Sequence, residues 1–221
     1  MAGGTGTSST TNGRVATGTG TDSLAAVVTA VSPSIVTVLV DGTESSLGSG
    51  VILTADGLVV TNNHVIAGGG TVSLRLSDGR TVPATVVATD SAHDLALVRG
   101  SGLSGLTPAT FGTDDSVAVG DTVLAFGSPL GLENTVTAGI VSAVGRDADP
   151  DGESLSGLLQ TDAPINAGNS GGALVDTSGQ VIGINVANAT AGQDGGSIGV
   201  GFAIPADTVS TVVETMRSRL G

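Results

Sequence analysis

The chain has no cysteine, no lysine, no tryptophan and no tyrosine, and only three phenylalanines among its 221 residues. Each absence excludes something. Without cysteine there is no disulfide framework and no thiol catalysis, although the compartment stays open, because reducing and oxidising spaces both tolerate such a chain. Seven arginines are all the basic charge set against 20 acidic residues, a net charge of −13. That surface repels phosphate backbones and anionic membranes, so nucleic acid is not an expected partner. Charged residues are only 12% of the chain, so the imbalance comes from scarce cations rather than from a dense acidic shell. No apolar run reaches the roughly 18 residues that a membrane helix needs. Met1 leads into "AGGTGTSSTTNG", which is not a basic and then apolar signal segment. The shortage of aromatics leaves the core to Val, Ile, Leu and Ala, and β-branched valine favours strands.

What is present points the same way. Thirty-six glycines, many in Asp-Gly or Ser-Gly pairs, punctuate apolar runs at about 8–12 residue intervals, the spacing of a sandwich or barrel. Residues 1–21 are Gly/Ser/Thr-rich and are expected to be a flexible linker. Residues 22–221 are then one large domain or two small lobes sharing a core. A short helix is expected in "DSLAAVVTAVSP", capped near Asp22 or Ser23 and stopped before Pro33. Strands follow at 35–40, 48–54, 58–62, 71–76, 81–89 and 94–99, the last alternating as a half-buried strand would. Ser77-Asp78-Gly79 is a hairpin turn. After a Gly/Ser crossover at 100–105 come strands at 121–127, 135–145, 157–162, 172–176, 180–187 and 199–205. Only the tail is clearly helical: Val209, Val212, Val213, Met216 and Leu220 form one apolar stripe. The expectation is an all-β protein of two six-stranded lobes, about 33–105 and 106–205, closed by a helix at 206–220.

The chemistry gathers around Ser170 in "NAGNSGGALV". A serine hydroxyl is a weak nucleophile until a base takes its proton and a third group holds that base. Gly168-Asn169-Ser170-Gly171-Gly172 fits the G-x-S-x-G elbow literally, but that motif needs its histidine after the serine. Both histidines here, His64 and His93, precede it. An Asp–His–Ser order would draw on Asp22, Asp41 or Asp56 and belongs to a helix-rich α/β fold, which this chain is not. A His–Asp–Ser order on an all-β fold fits as His64, Asp94 and Ser170. His93 adjoins Asp94 in an extended run, where successive side chains point to opposite faces, so it is expected at the surface. His64 closes the strand "LVVTNNHVI", from which a turn can project its ring into a cleft. The N–H groups of Gly168 and Ser170 are the expected oxyanion donors, and Gly171 and Gly172 leave room for a substrate backbone.

With these residues assembled, the chain resembles the trypsin-like serine proteases of the HtrA/Deg family. The resemblance is carried, in family order, by "GSGVIL" (48–53), "VVTNNHVI" (59–66), "DLALVR" (94–99), "AFGSPLGLENTVTAGIVSA" (125–143), "QTDAPINAGNSGGALV" (160–175), "GQVIGIN" (179–185) and "GVGFAIP" (199–205). It implies a chymotrypsin-like double barrel and an ATP-independent endopeptidase of unfolded or regulatory polypeptides. The implied location is extracytoplasmic, with a membrane anchor or PDZ domains in a longer protein. It implies His64 as base, Asp94 as orienter and Ser170 as nucleophile, with Gly168, Asn169 and Ser170 at the oxyanion hole. Ile165, Asn185, Ala187 and Asn188 fall at substrate-binding positions, Asn188 where a hydrophobic residue is common. Ala167 replaces a common proline, which implies a less rigid loop. Asn169 offers no charge to a newly cut N-terminus, so zymogen activation of that kind is not expected. The family's trimers use N-terminal aromatics, and none precedes Phe111 here, so the oligomeric state stays open.

Weaker motifs lead nowhere. "DADPDG" (147–152) begins like a calcium loop but lacks its closing carboxylate, since Leu158 occupies that position, and reads as a solvated acidic loop. No cluster has zinc spacing, and no metal or cofactor is expected. Two other readings keep the same sequence: a chaperone-like polypeptide-binding module whose oxyanion turn is unformed, and a purely structural glycine-rich β protein. An Asn169 N–H turned into the pocket would mark the enzyme; a carbonyl there would mark the resting or binding form.

Overall fold

A computed structural model describes residues 23–43, 45–128, 135–149, 154–186 and 197–219. Residues 1–21, expected as a linker, Ala187, Asn188, Leu220 and half of the acidic loop (150–152) lie outside these residues. The chain enters through helix α1 (Leu24–Val31), capped by Ser23, whose hydroxyl accepts the Ala26 N–H. Pro33 ends it in a single 3-10 turn at Ser32–Ser34.

Six strands follow: β1 (Ile35–Asp41), β2 (Ser46–Ile52), β3 (Leu58–Asn62), β4 (Thr71–Arg75), β5 (Thr81–Asp90) and β6 (Leu95–Gly100), with a one-turn helix α2 (Asn63–Ala67) after β3. They close into a barrel in the order β1-β2-β3-β6-β5-β4. The second half repeats the plan with β7 (Thr122–Gly127), β8 (Thr135–Ala148), β9 (Leu155–Thr161), β10 (Ala173–Asp176), β11 (Val181–Val186) and β12 (Gly201–Pro205). Its closed order, β7-β8-β9-β12-β11-β10, is that of the first barrel shifted by six strands. Every ladder is antiparallel, so short turns suffice and glycine-rich punctuation does the connecting. Helix α3 (Ala206–Ser218) closes the fold. The fold is the chymotrypsin-like double barrel.

The two-residue period of a strand decides where the cores lie. In β6, Ala96 and Val98 fill the first barrel, while Leu95 and Leu97 point out of it. In β3, Val59 points in, and Leu58 and Val60 out. In β7, Val123 and Ala125 fill the second barrel, while Leu124 and Phe126 leave it. The outward sets of both barrels, with Val27 and Val31 of α1 and Val209, Val212, Val213 and Met216 of α3, make one shared cluster. Strand β6 is therefore buried on both faces, not half-buried as its alternation suggested. Strands that serve a barrel core and a seam together must be apolar at every position. The few polar residues inside such strands are correspondingly informative.

Candidate active site

His64 stands in α2, which begins where β3 reaches the seam between the barrels. A helix start leaves N–H groups without intrahelical acceptors, and here Asp94 supplies acceptors from another part of the chain. Its carbonyl accepts the Asn63 N–H at 3.1 Å and the Asn62 side-chain amide at 2.9 Å. Its carboxylate accepts the His64 N–H through Oδ1 at 2.9 Å and meets the His64 ring Nδ1 through Oδ2 at 2.7 Å. Asp94 thus caps α2 and orients the imidazole with one side chain. It is wholly buried, whereas the His64 side chain remains 25% exposed.

Asp94 lies in the turn before β6 rather than in the strand, with φ of 51°. It is the only non-glycine in the left-handed region among the described residues, a conformation kept where the surroundings over-determine it. The same turn separates Asp94 from His93, whose exposed ring pairs with Asp90 at 3.0 Å. Burial pushes the Asp90 carboxyl up, but hydrogen bonds from the His93 side chain and backbone outweigh it and hold the group below its ordinary value. His93 is a surface histidine, as expected, although the turn and not an extended strand sends the two side chains apart.

Ser170 follows β9 on a loop buried against the first barrel. Its carbonyl accepts the Ser49 N–H at 2.8 Å. A Cβ on Gly48 would stand 3.2 Å from that carbonyl and 2.7 Å from both methyls of Val65, the residue after His64. The Ser170 backbone and the helix that carries His64 therefore flank one side-chain-free position. Gly171, at φ of 80°, leaves no space for a Cβ beside the Ser49 carbonyl and the Thr61 hydroxyl, and Gly172 none beside the Phe126 carbonyl. The room at these glycines is filled by the protein's own backbone, not kept for a substrate.

Residues 166–169 form a turn in which the Asn169 N–H donates to the Asn166 carbonyl at 2.9 Å. Gly168, third in the turn, has φ of 97°, the type II arrangement. The Asn169 N–H is thereby committed inside the turn, and its carbonyl accepts the Gly172 N–H. Neither group faces a pocket, so Asn169 is not an oxyanion donor in this arrangement. The Gly168 carbonyl accepts the Ser49 hydroxyl at 2.6 Å and the Ser128 N–H at 3.3 Å. Asn166 uses its side chain as well, accepting the Ser197 N–H at 2.8 Å.

The expected substrate-binding residues fare unevenly. Ile165 is fully buried in the second barrel's cluster, beside Gly201. Asn185 is also buried: its side-chain N–H groups donate to the Phe126 and Ala173 carbonyls at 3.1 Å each, and its backbone pairs with Gly171 and Gly172. Both sides of 184–186 are taken, by β12 and by the segment from Gly171 to Ala173. That stretch offers no free edge to a substrate strand. Sequence reasoning missed Ser49, Thr37, Ser128 and Asn62. The available signal was a polar residue within an otherwise apolar run, as in "IVTVLV" and "GSGVIL". Among the described residues no His, Asp or Glu cluster could hold a metal ion, and no helix is long and apolar enough to cross a membrane.

Comparison with known proteins adds to this geometry. Residues 48–184 match the trypsin-like peptidase domain. The chain is 46% identical over 212 residues to the serine protease PepD of Mycobacterium tuberculosis, covering 87% of this chain and 46% of that protein. It is 47% identical over 172 residues to the periplasmic serine endoprotease DegP of Escherichia coli, covering 77% of this chain and 36% of that one. Less than half the length of these curated relatives is spanned. The solved HtrA-type protease AlgW with a tripeptide superposes with a TM-score of 0.80 at 43% identity, over 90% of this chain and 64% of that one.

Proposed function

Because this chain belongs to the HtrA-type family of trypsin-like serine proteases, we propose that it is a serine endopeptidase acting through an acyl-enzyme. One observation supports this most: a buried carboxylate holds His64 at both its N–H and its ring Nδ1. That double grip fixes the imidazole with Nδ1 facing Asp94, which leaves Nε2 as the basic atom for the Ser170 hydroxyl. The Ser170 oxygen attacks the scissile carbonyl as its proton passes to His64, and the carboxylate stabilises the imidazolium that forms. The tetrahedral oxyanion is held by the Gly168 and Ser170 N–H groups, each such donor being worth about 10²–10³ in turnover. The proton then goes to the leaving amine, and water releases the acyl group by the same route.

The proposed substrates are unfolded or regulatory polypeptides. A peptide was present with the related AlgW, and relatives are named endoproteases. Ile165, Ala187 and Asn188 are the proposed positions for recognising a substrate side chain. The periplasmic relatives support an extracytoplasmic location.

Intact-mass labelling with a fluorophosphonate tests the reading on the native chain and on Ser170→Ala. One adduct on the native chain and none on the variant is the expected result. No adduct on either would show that the three residues do not form an active nucleophile.

A further inference from the structure

The two proposed oxyanion donors, the N–H groups of Gly168 and Ser170, flank a single peptide plane, Gly168–Asn169. That plane links the two planes that carry the donors, so holding it fixes how the donors stand relative to each other. Its N–H end is fixed within the turn, on the Asn166 carbonyl. Its carbonyl end is fixed from outside, by the other barrel.

We infer that Ser49 is a positioning residue for catalysis: its hydroxyl, reaching from β2 of the first barrel to the Gly168 carbonyl, locks the peptide between the two oxyanion donors. The inference rests on the protease reading above. Ser49 has no exposed surface. Its hydroxyl donates to the Gly168 carbonyl at 2.6 Å and accepts the Ser128 N–H at 2.9 Å. Ser128 is held in turn, its hydroxyl accepting that of Thr37 at 2.9 Å, and Thr37 is the direct cross-strand partner of Ser49. The main chain repeats the attachment, because the Ser49 N–H donates to the Ser170 carbonyl. One residue of the first barrel thus grips the carbonyls on both sides of Asn169. Alanine at 49 would leave the Gly168 carbonyl only the Ser128 N–H at 3.3 Å. The plane would gain rotational freedom without any change at His64 or Asp94.

A structural hydroxyl buried in a seam would lower stability and nothing else. A positioning hydroxyl lowers turnover in the folded protein. The test compares the native chain, Ser49→Ala and Ser49→Cys, a near-isostere with a weak donor, all confirmed folded by thermal melts. The readouts are the second-order rate of fluorophosphonate adduct formation, and kcat and KM on fluorescent casein. Both variants should react about tenfold more slowly, with kcat reduced and KM nearly unchanged, as expected for interactions that matter only in the transition state. The proton bridging His64 and Asp94 should keep its NMR position, which localises the loss to the oxyanion side. Folded variants that match the native rate would overturn the inference and leave the protease reading intact. A native chain that takes no label at all would instead overturn the protease reading, and this inference with it. If Ser49→Ala does not fold, the cysteine variant decides alone.

Discussion

At the scale of single residues, two carboxyl-versus-amide choices separate chemistry from architecture. Asp94→Asn keeps Oδ1 as acceptor for the His64 N–H, so the fold should survive. It places an amide N–H opposite Nδ1 and so favours the wrong tautomer. Turnover should fall by about 10⁴ with little change in the melting curve, by analogy with the serine-protease template. Asn169 poses the reverse case. It is 1% exposed, and its Oδ1 has no donor among the described residues. Asn169→Asp would bury an unpaired charge there and should destabilise the domain by about 2–4 kcal/mol at neutral pH. Part of the loss should return in urea titrations at acidic pH, once the carboxyl is protonated. The same burial shows why a neutral amide suits this position when no new N-terminus arrives to pair with it.

At the scale of elements, the 166–169 turn and the start of α3 respond to conditions in different ways. Ala167 occupies the second position of a type II turn, where proline is favoured because its ring already sets φ. Its N–H has no acceptor among the described residues. Ala167→Pro should therefore raise stability by about 0.4–1 kcal/mol through the unfolded state. It should also quicken fluorophosphonate labelling, since the turn it stiffens adjoins the proposed oxyanion donors. A drop in melting temperature would show that the turn's backbone does not tolerate the ring. Helix α3 starts against a second carboxylate: Asp114 Oδ1 accepts the Asp207 N–H, and Asp207 Oδ2 accepts the Asp114 N–H, each at 3.2 Å. Burial, and after it the nearby Asp207 and Asp115 charges, push the Asp114 carboxyl above its ordinary value of 3.8. Such a group binds its proton more tightly folded than unfolded. Its stabilising contribution is therefore present in acid and is lost as pH rises through the raised value. Asp114→Asn keeps the acceptor for the Asp207 N–H but removes this titration. Denaturation curves from pH 7 downward should show a shallower gain for the variant, within the roughly 0.5 kcal/mol typical of surface changes.

At the scale of the whole molecule, the double barrel was legible because apolar, β-branched runs of strand length recur between glycine punctuations. The terminal helix was legible from Val209, Val212, Val213 and Met216. The triad candidates were legible from chain order and element ends. The contacts that make a site of them were not. Asp94 acts as a cap on α2 only because β3 and β6 are neighbours, a pairing between residues some 30 positions apart along the chain. Asn185 looked like a ligand contact, yet its side-chain N–H groups are taken by backbone carbonyls of β7 and β10. Ser49, Thr37 and Ser128 meet only when two separate barrels close on each other, and no local pattern encodes that meeting.

The barrels are joined through residues 101–121, of which the first stretch, 101–105, is exposed apart from Leu103. Its flanks are tied down by the Ser101 N–H on the Pro83 carbonyl and the Leu106 N–H on that of Ala55. Covalent continuity there contributes little to what the seam already holds. With a cleavage sequence inserted between Ser104 and Gly105, the cut protein should run as two bands on a denaturing gel and as one species on a sizing column. It should retain its fluorophosphonate reactivity. The reactive unit is then a heterodimer of fragments, each unreactive alone, because one fragment holds the proposed base with its acid and the other the proposed nucleophile.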